Sequence, residues 1–320
     1  MRISRYAGAT HAGRKRRHNE DAYVVKPPLF AVADGMGGPR AGEVASGLAA
    51  AAVKASETGG GGEERVVALI QSANQSVYQR SSEDANVAGM GTTMTVAVVD
   101  GRGVTIGHVG DSRAYLERNG RLEQLTEDHS LVSELVRAGK LSPEEAENHP
   151  QRSVITRALG TDPNVDVDTF EVVPEEGDVF LICSDGLTTM VDDDTIARVL
   201  DDYREDLDRA AKELIRLANK AGGEDNITVV AFELTDAPEE PAIEETRPMP
   251  AVSEKDVEDT LDEADRVPAV DTMVVAPSEA AQLRTSGSEP QARKKRRRWP
   301  LFLLLLVVIA AAVVLWLGVR

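Results

Sequence analysis

The sequence predicts an α+β domain in which mainly antiparallel sheets are layered with helices. Short apolar strands come in hairpin-like runs, and amphipathic helices come in pairs. The helices are also too few and too clustered for a regular βαβ alternation.

Taken in order, "LFAVAD" (29–34) reads as a strand that climbs to Asp34 before breaking into glycines. "AGEVASGLAAAAVKAS" and "ERVVALIQSANQSVYQRS" read as helices separated by the turn-rich "ETGGGGE". "GTTMTVAVVD", "GVTIGHVGD" and "SRAYLERNGRLEQLT" follow as strands, with Asn119-Gly120 marking a hairpin in the last. Two polar helical stretches come next, "DHSLVSELVRAG" and "SPEEAENHP". The strands "VDTFEVV" and "GDVFLICSD", the helices "DDTIARVL" and "DLDRAAKELIRLANKA", and the strand "NITVVAFEL" complete a globular part over residues 1–236.

Charge and cysteine content narrow the function. The 320 residues carry 54 acidic against 36 basic side chains, a net charge of −18, which argues against a nucleic-acid partner. A single cysteine, Cys183, forbids an intramolecular disulfide and fits a reducing compartment. "CSDGLTTM" has no arginine to serve a cysteine nucleophile, and no P-loop or dinucleotide fingerprint occurs. The N-terminus lacks the apolar run of a signal peptide.

Four carboxylates stand at the margins of the apolar strands: Asp34, Asp111, Asp185 and Asp225. For any one of them a turn is the simpler reading, since Asp and Gly are common turn residues. If the strand ends converge, however, four like charges repel and need a compensating cation. Carboxylates beside glycines, whose carbonyls can approach an ion, suit Mg²⁺ or Mn²⁺. Five histidines and one cysteine argue against zinc. A second cluster, "GRKRRHNEDA" (13–22), sets basic residues beside Glu20 and Asp21. Arginine next to a carboxylate metal centre suits phosphate-ester chemistry. Three of the four charges in "RKRR" read as a solvated loop.

These segments together resemble the metal-dependent protein phosphatase family, the protein phosphatase 2C type, and its bacterial Ser/Thr members in particular. The matching runs are "RHNEDA", "VADGMGG", "AGEVAS", "GMGTTMTVAVV", "VGDSRAYL", "LTEDHSLV", "HPQRSVITRALG", "FLICSDGL" and "GGEDNITVVAFEL", in the family's order from about residue 6 to 234. The resemblance implies an α/β/β/α sandwich of two mainly antiparallel sheets, with two Mn²⁺ or Mg²⁺ ions at one edge and room for a third. It implies that Asp34 bridges the two ions and that the Gly35 carbonyl holds one of them. Asp185 and Asp225 would hold the other, and Asp111 with Asp185 the third. Glu20 and Asp21 would orient water, and Arg16 would bind phosphate, with Arg14 a weaker match. Residues from about Thr126 to Arg157 match a flap beside the substrate cleft. The implied reaction is in-line attack on phosphoserine or phosphothreonine by a hydroxide bridging the two ions, with no phosphoenzyme. The histidines that relatives place after the Asp-Gly or after the glycine pair are replaced here by Met36 and Pro39, so the leaving-group acid is unassigned; His18 is one candidate.

The C-terminal quarter has a different character. Residues 237–292 hold seven prolines and fourteen acidic against four basic residues, and read as a disordered acidic linker. "RKKRRR" (293–298) precedes the apolar run within 299–320. Leu301 to Val319 would span about 28 Å as a helix, close to the hydrocarbon core of a bilayer. Trp299 and Trp316 flank it, and the basic run places the phosphatase-like domain on the cytoplasmic side of a cell membrane. Expected partners are phosphorylated proteins, Ser/Thr protein kinases and their substrates among them. The alternatives are a catalytically silent membrane-tethered phosphopeptide adaptor and a dedicated stress or sporulation phosphatase.

Overall fold

A computed structural model describes residues 1–37, 41–56, 62–147 and 149–236. Pro39 and the proposed linker, basic run and apolar span lie outside these residues. Among the described residues no helix is long and apolar enough to cross a membrane.

The strands are β1 (Arg2–His11), β2 (Asp21–Lys26), β3 (Leu29–Met36), β4 (Gly91–Thr92), β5 (Met94–Val99), β6 (Val104–Val109), β7 (Arg113–Arg118), β8 (Arg121–Gln124), β9 (Asp168–Val172), β10 (Val179–Cys183) and β11 (Ile227–Thr235). The helices are α1 (Ala41–Ala55), α2 (Glu63–Glu83), α3 (Leu131–Arg137), α4 (Pro143–Glu147), α5 (Asp185–Thr188), α6 (Asp193–Asp202) and α7 (Leu207–Ala221). One sheet has the order β1-β11-β10-β7-β8 and the other β2-β3-β5-β6-β9, with β4 added to β3. The neighbouring pairs are antiparallel.

Strand alternation builds three apolar layers. Leu29, Ala31 and Ala33 of β3 face α1 and α2, together with Val96 and Val98 of β5. Val179, Leu181 and Cys183 of β10 face the α6–α7 side, against Leu200, Leu214 and Ala218. The alternate residues Phe30, Val32, Ala97, Ile106, Ala114, Phe180, Ile182, Val230 and Phe232 meet between the sheets. Phe232 stacks nearly parallel on Phe30 and Phe180, with ring centroids 4.2 Å and 5.1 Å apart. The order of layers is therefore helix, sheet, sheet, helix, as the resemblance implies.

Several expectations are sharpened. β3 does not stop at Asp34, because Gly35 and Met36 continue the ladder opposite Thr92 and Gly91. The run "GTTMTVAVVD" is two strands, interrupted at Thr93, whose amide donates to the Asp34 carbonyl at 2.8 Å. Asn119 and Gly120 sit at positive φ, 53° and 77°, as the hairpin turn requires. β1, β2 and the single turn α5 have no counterpart in the sequence reading. β1 pairs along its length with β11, from Arg2 opposite Thr235 to His11 opposite Ile227. This brings the Met1 amine to 3.8 Å from the Asp236 carboxylate.

Candidate metal centre

The layer between the sheets changes chemistry from one end to the other. Along β3 it runs Phe30, Val32, Asp34; along β5 Val99, Ala97, Thr95; along β6 Ile106 and then His108. β10 continues from Ile182 to Ser184, and β11 runs back from Val230 to Thr228. One end of the sandwich is thus sealed by phenylalanines. The other is lined by hydroxyls, imidazole and carboxylates.

At that polar end the five predicted aspartates come together. Asp21 and Asp34 are cross-strand partners in the β2–β3 ladder. Asp185 opens α5 directly after β10, Asp111 follows β6, and Asp225 precedes β11. Asp21 Oδ2 accepts hydrogen bonds from Thr228 Oγ1 at 2.6 Å and Ser184 Oγ at 2.9 Å, across the gap between the sheets. The Asp34 backbone is clamped by Thr93, whose Oγ1 accepts from the Asp34 amide at 2.9 Å. Thr93 Oγ1 in turn lies 2.8 Å from Ser112 Oγ, beside Asp111. Asn226 anchors the N-terminal loop: its side chain donates to the carbonyls of Ala12 and His18 and accepts from the Glu20 amide.

The carboxylates are short of positive charge. Burial first, and then their mutual repulsion, pushes the Asp34 carboxyl well above the usual range. Burial likewise raises Asp21, Asp111 and Asp185, with neighbouring aspartates adding to each. Three buried oxygens, Asp21 Oδ1, Asp111 Oδ1 and Asp185 Oδ1, have no hydrogen-bond partner. Arg16 is the nearby counter-charge: its Nη2 donates to Asp225 Oδ2 at 2.6 Å. Glu20 stands beside them with its carboxyl raised, mainly by burial.

Orphaned carboxylate oxygens at a half-open mouth are what a hard cation satisfies, so the residues fit Mn²⁺ or Mg²⁺. Among the described residues no three His, Cys, Asp or Glu side chains are placed so as to hold a metal ion by themselves. Gly35, the residue expected to offer a backbone carbonyl, follows Asp34 directly in β3. A Cβ there would lie 2.1 Å from the Gly42 carbonyl oxygen and 2.5 Å from that of Glu20, so only glycine fits between α1 and the strand.

The structure therefore gathers Asp21, Asp34, Gly35, Asp111, Asp185, Asp225, Glu20 and Arg16 into one site. It leaves Met36 at the strand end, paired with Gly91. The sequence reading missed Ser112, Ser184, Thr93 and Thr228, the hydroxyls that hold the aspartates. It also missed His108 and His129, buried in the same layer with ring centroids 4.8 Å apart. Each looks in the sequence like an ordinary core residue. His108 and Thr228 are placed with the carboxylates by strand alternation, and the others by the loops that the packed sheets bring together.

Fold and site define a metal-assisted phosphoester hydrolase, and comparison with known proteins makes that specific. The profile described as "Protein phosphatase 2C" matches residues 9–227. A serine/threonine phosphatase of Listeria monocytogenes is 44% identical over 240 residues, covering 70% of this chain and 93% of that one. The crystal structure of the Mycobacterium tuberculosis serine/threonine phosphatase PstP superposes with a TM-score of 0.68 at 40% identity, over 73% of this chain and 99% of that one. A structure of the PstP catalytic domain in complex with two manganese ions superposes with a TM-score of 0.66 at 37% identity, over 73% and 99%. The chain belongs to the protein phosphatase 2C family, as a protein-serine/threonine phosphatase.

Proposed function

We propose that this chain hydrolyses phosphoserine and phosphothreonine in proteins at the carboxylate mouth between its two sheets. The observation that carries the reading is the convergence of Asp21 with the four strand-margin aspartates, three of the five (Asp21, Asp111 and Asp185) keeping a buried oxygen without a partner. Asp34, the Gly35 carbonyl, Asp185 and Asp225 would hold two Mn²⁺ or Mg²⁺ ions, and Asp111 with Asp185 a third. When bound, such ions supply a water acidic enough to act as nucleophile at neutral pH and offset charge on the phosphoryl oxygens. The protein does the remaining work. Asp21, fixed by Ser184 and Thr228, keeps one oxygen free to orient water, and Glu20 sits at the same rim. Arg16 reaches the phosphoryl oxygens from the N-terminal loop, exchanging its contact with Asp225 for the substrate. His18 is the nearest histidine of that loop for the leaving-group proton.

The domain would act at the cytoplasmic face of a cell membrane, anchored by residues 299–320 through the linker 237–292 and the basic run 293–298. Its partners would be phosphorylated proteins, including Ser/Thr protein kinases and their substrates. This placement is supported by the apolar run and the basic residues before it.

Turnover of a phosphothreonine peptide by residues 1–236, with and without Mn²⁺, tests the activity. Hydrolysis should require the metal and should vanish in Asp34→Asn and Asp225→Asn. Undiminished turnover by either variant would overturn the assignment.

A further inference from the structure

Both backbone polar groups of Gly110, the residue that hands the chain to Asp111, are held by His129. The Gly110 amide donates to His129 Nδ1 at 3.0 Å, and the Gly110 carbonyl accepts from the His129 amide at 2.7 Å. An amide only donates, so Nδ1 is the bare nitrogen and Nε2 carries the hydrogen. Nε2 then donates to Asp168 Oδ2 at 3.0 Å, and Asp168 Oδ1 accepts from Arg157 Nη1 at 2.5 Å.

His129 stands at the neck of the excursion 126–157 between β8 and β9. There Ser130 bridges Ile155, Leu131 donates to the Val154 carbonyl, and Thr156 donates to the His129 carbonyl at 2.8 Å. The Gly110 turn has little freedom of its own. Its φ is +113°, and a Cβ would lie 2.6 Å from Thr93, the residue that clamps Asp34. A buried imidazole using both nitrogens is a costly filler unless its bonds do something.

We propose that His129 is a positioning residue for Asp111. It fixes the Gly110–Asp111 turn against the neck of the excursion. The inference rests on the reading of Asp111 as a metal-holding carboxylate.

Side-chain geometry supplies the test. His129→Asn keeps an acceptor near the Nδ1 position but loses the reach to Asp168, and His129→Leu loses both. In metal-free protein, hydrogen exchange at the Gly110 amide should quicken in H129L and stay slow in H129N. By calorimetry the weakest Mn²⁺-binding step should weaken about tenfold in H129L and recover in H129N, the range seen when groups behind metal ligands are removed. The double variant H129L/D111N should turn over a phosphopeptide no more slowly than D111N. Unchanged Gly110 exchange and Mn²⁺ binding in H129L, or an H129N as impaired as H129L, would overturn the proposal. Should H129L fail to fold, His129→Gln, whose longer amide reaches toward Asp168 but leaves no acceptor at the Nδ1 position, takes its place: a quickened Gly110 amide supports the strut, and an unchanged one refutes it. Wild-type protein that binds Mn²⁺ yet leaves a phosphothreonine peptide intact would instead refute the phosphatase reading, while the exchange and binding readouts still judge His129.

Discussion

Asp34 shows how one side chain can be a liability to folding and an asset to chemistry. Its carboxyl is packed among Asp21, Asp185, Asp111 and Asp225, and Arg16 is paired with the last of these. Replacing it by Asn should raise the stability of the metal-free protein by about 1–3 kcal/mol, by removing an unpaired charge from a desolvated cluster. The same change should abolish stabilisation by Mn²⁺, which in the wild type should reach about 2.7 kcal/mol at a hundredfold excess over Kd. Thermal unfolding with and without Mn²⁺ checks both halves. A pH dependence follows from the same groups. Burial and repulsion raise Asp21 to about 7, Asp111 to about 8 and Asp185 to about 6. The folded state therefore binds more protons than the unfolded one, and metal-free stability should fall as pH rises from about 4 to about 8. Buried His108, lowered to about 4, opposes this below its ordinary value but is outnumbered. Urea melts of metal-stripped protein at pH 5 and pH 8 give the sign; greater stability at pH 8 would contradict it. For Arg16, substitution by Ala should cost about a hundredfold in kcat/KM, comparable to losing one donor to a developing oxyanion. Steady-state kinetics on a phosphopeptide reads that loss directly.

At the scale of elements, the site exists because strands carry two faces. β3 gives its odd residues to the helices and its even ones, ending in Asp34, to the gap between the sheets. Phe232→Ala should cost about 3–5 kcal/mol, since it removes the ring on which Phe30 and Phe180 stack. Denaturant unfolding measures that cost, and Mn²⁺ affinity per folded molecule should stay near wild type because the carboxylates lie at the other end. Gly35→Ala should do the reverse and destroy metal binding, because its Cβ has no space between Glu20 and Gly42. The central strands and paired helices were legible in the sequence because burial on both faces gives long apolar runs, as in "FLIC" and "TVVAF". β1 and β2 were not, for a physical reason: both are edge strands, partly exposed, and neither carries a long apolar run. The aspartates themselves were legible by their position at strand margins. Their support was not, because Thr228 and Asp21 are 207 positions apart in sequence and meet only when the sheets pack.

At the scale of the whole chain, the proposed anchor and the catalytic mouth are separate devices. Removing residues 293–320 should leave kcat/KM on a soluble peptide unchanged while moving the protein from the membrane to the soluble fraction. Cell fractionation with a parallel assay reads both. One further consequence comes from the Met1 amine lying beside Asp236. The described domain is very nearly a closed ring, joined at the pole farthest from the carboxylates, about 24 Å along β11 from Thr228. The β7–β8 hairpin tip at Asn119 turns at that same pole. Start and finish are thus interchangeable labels: splicing 236 to 1 and opening the chain at Asn119-Gly120 should yield a circular permutant with its active mouth intact.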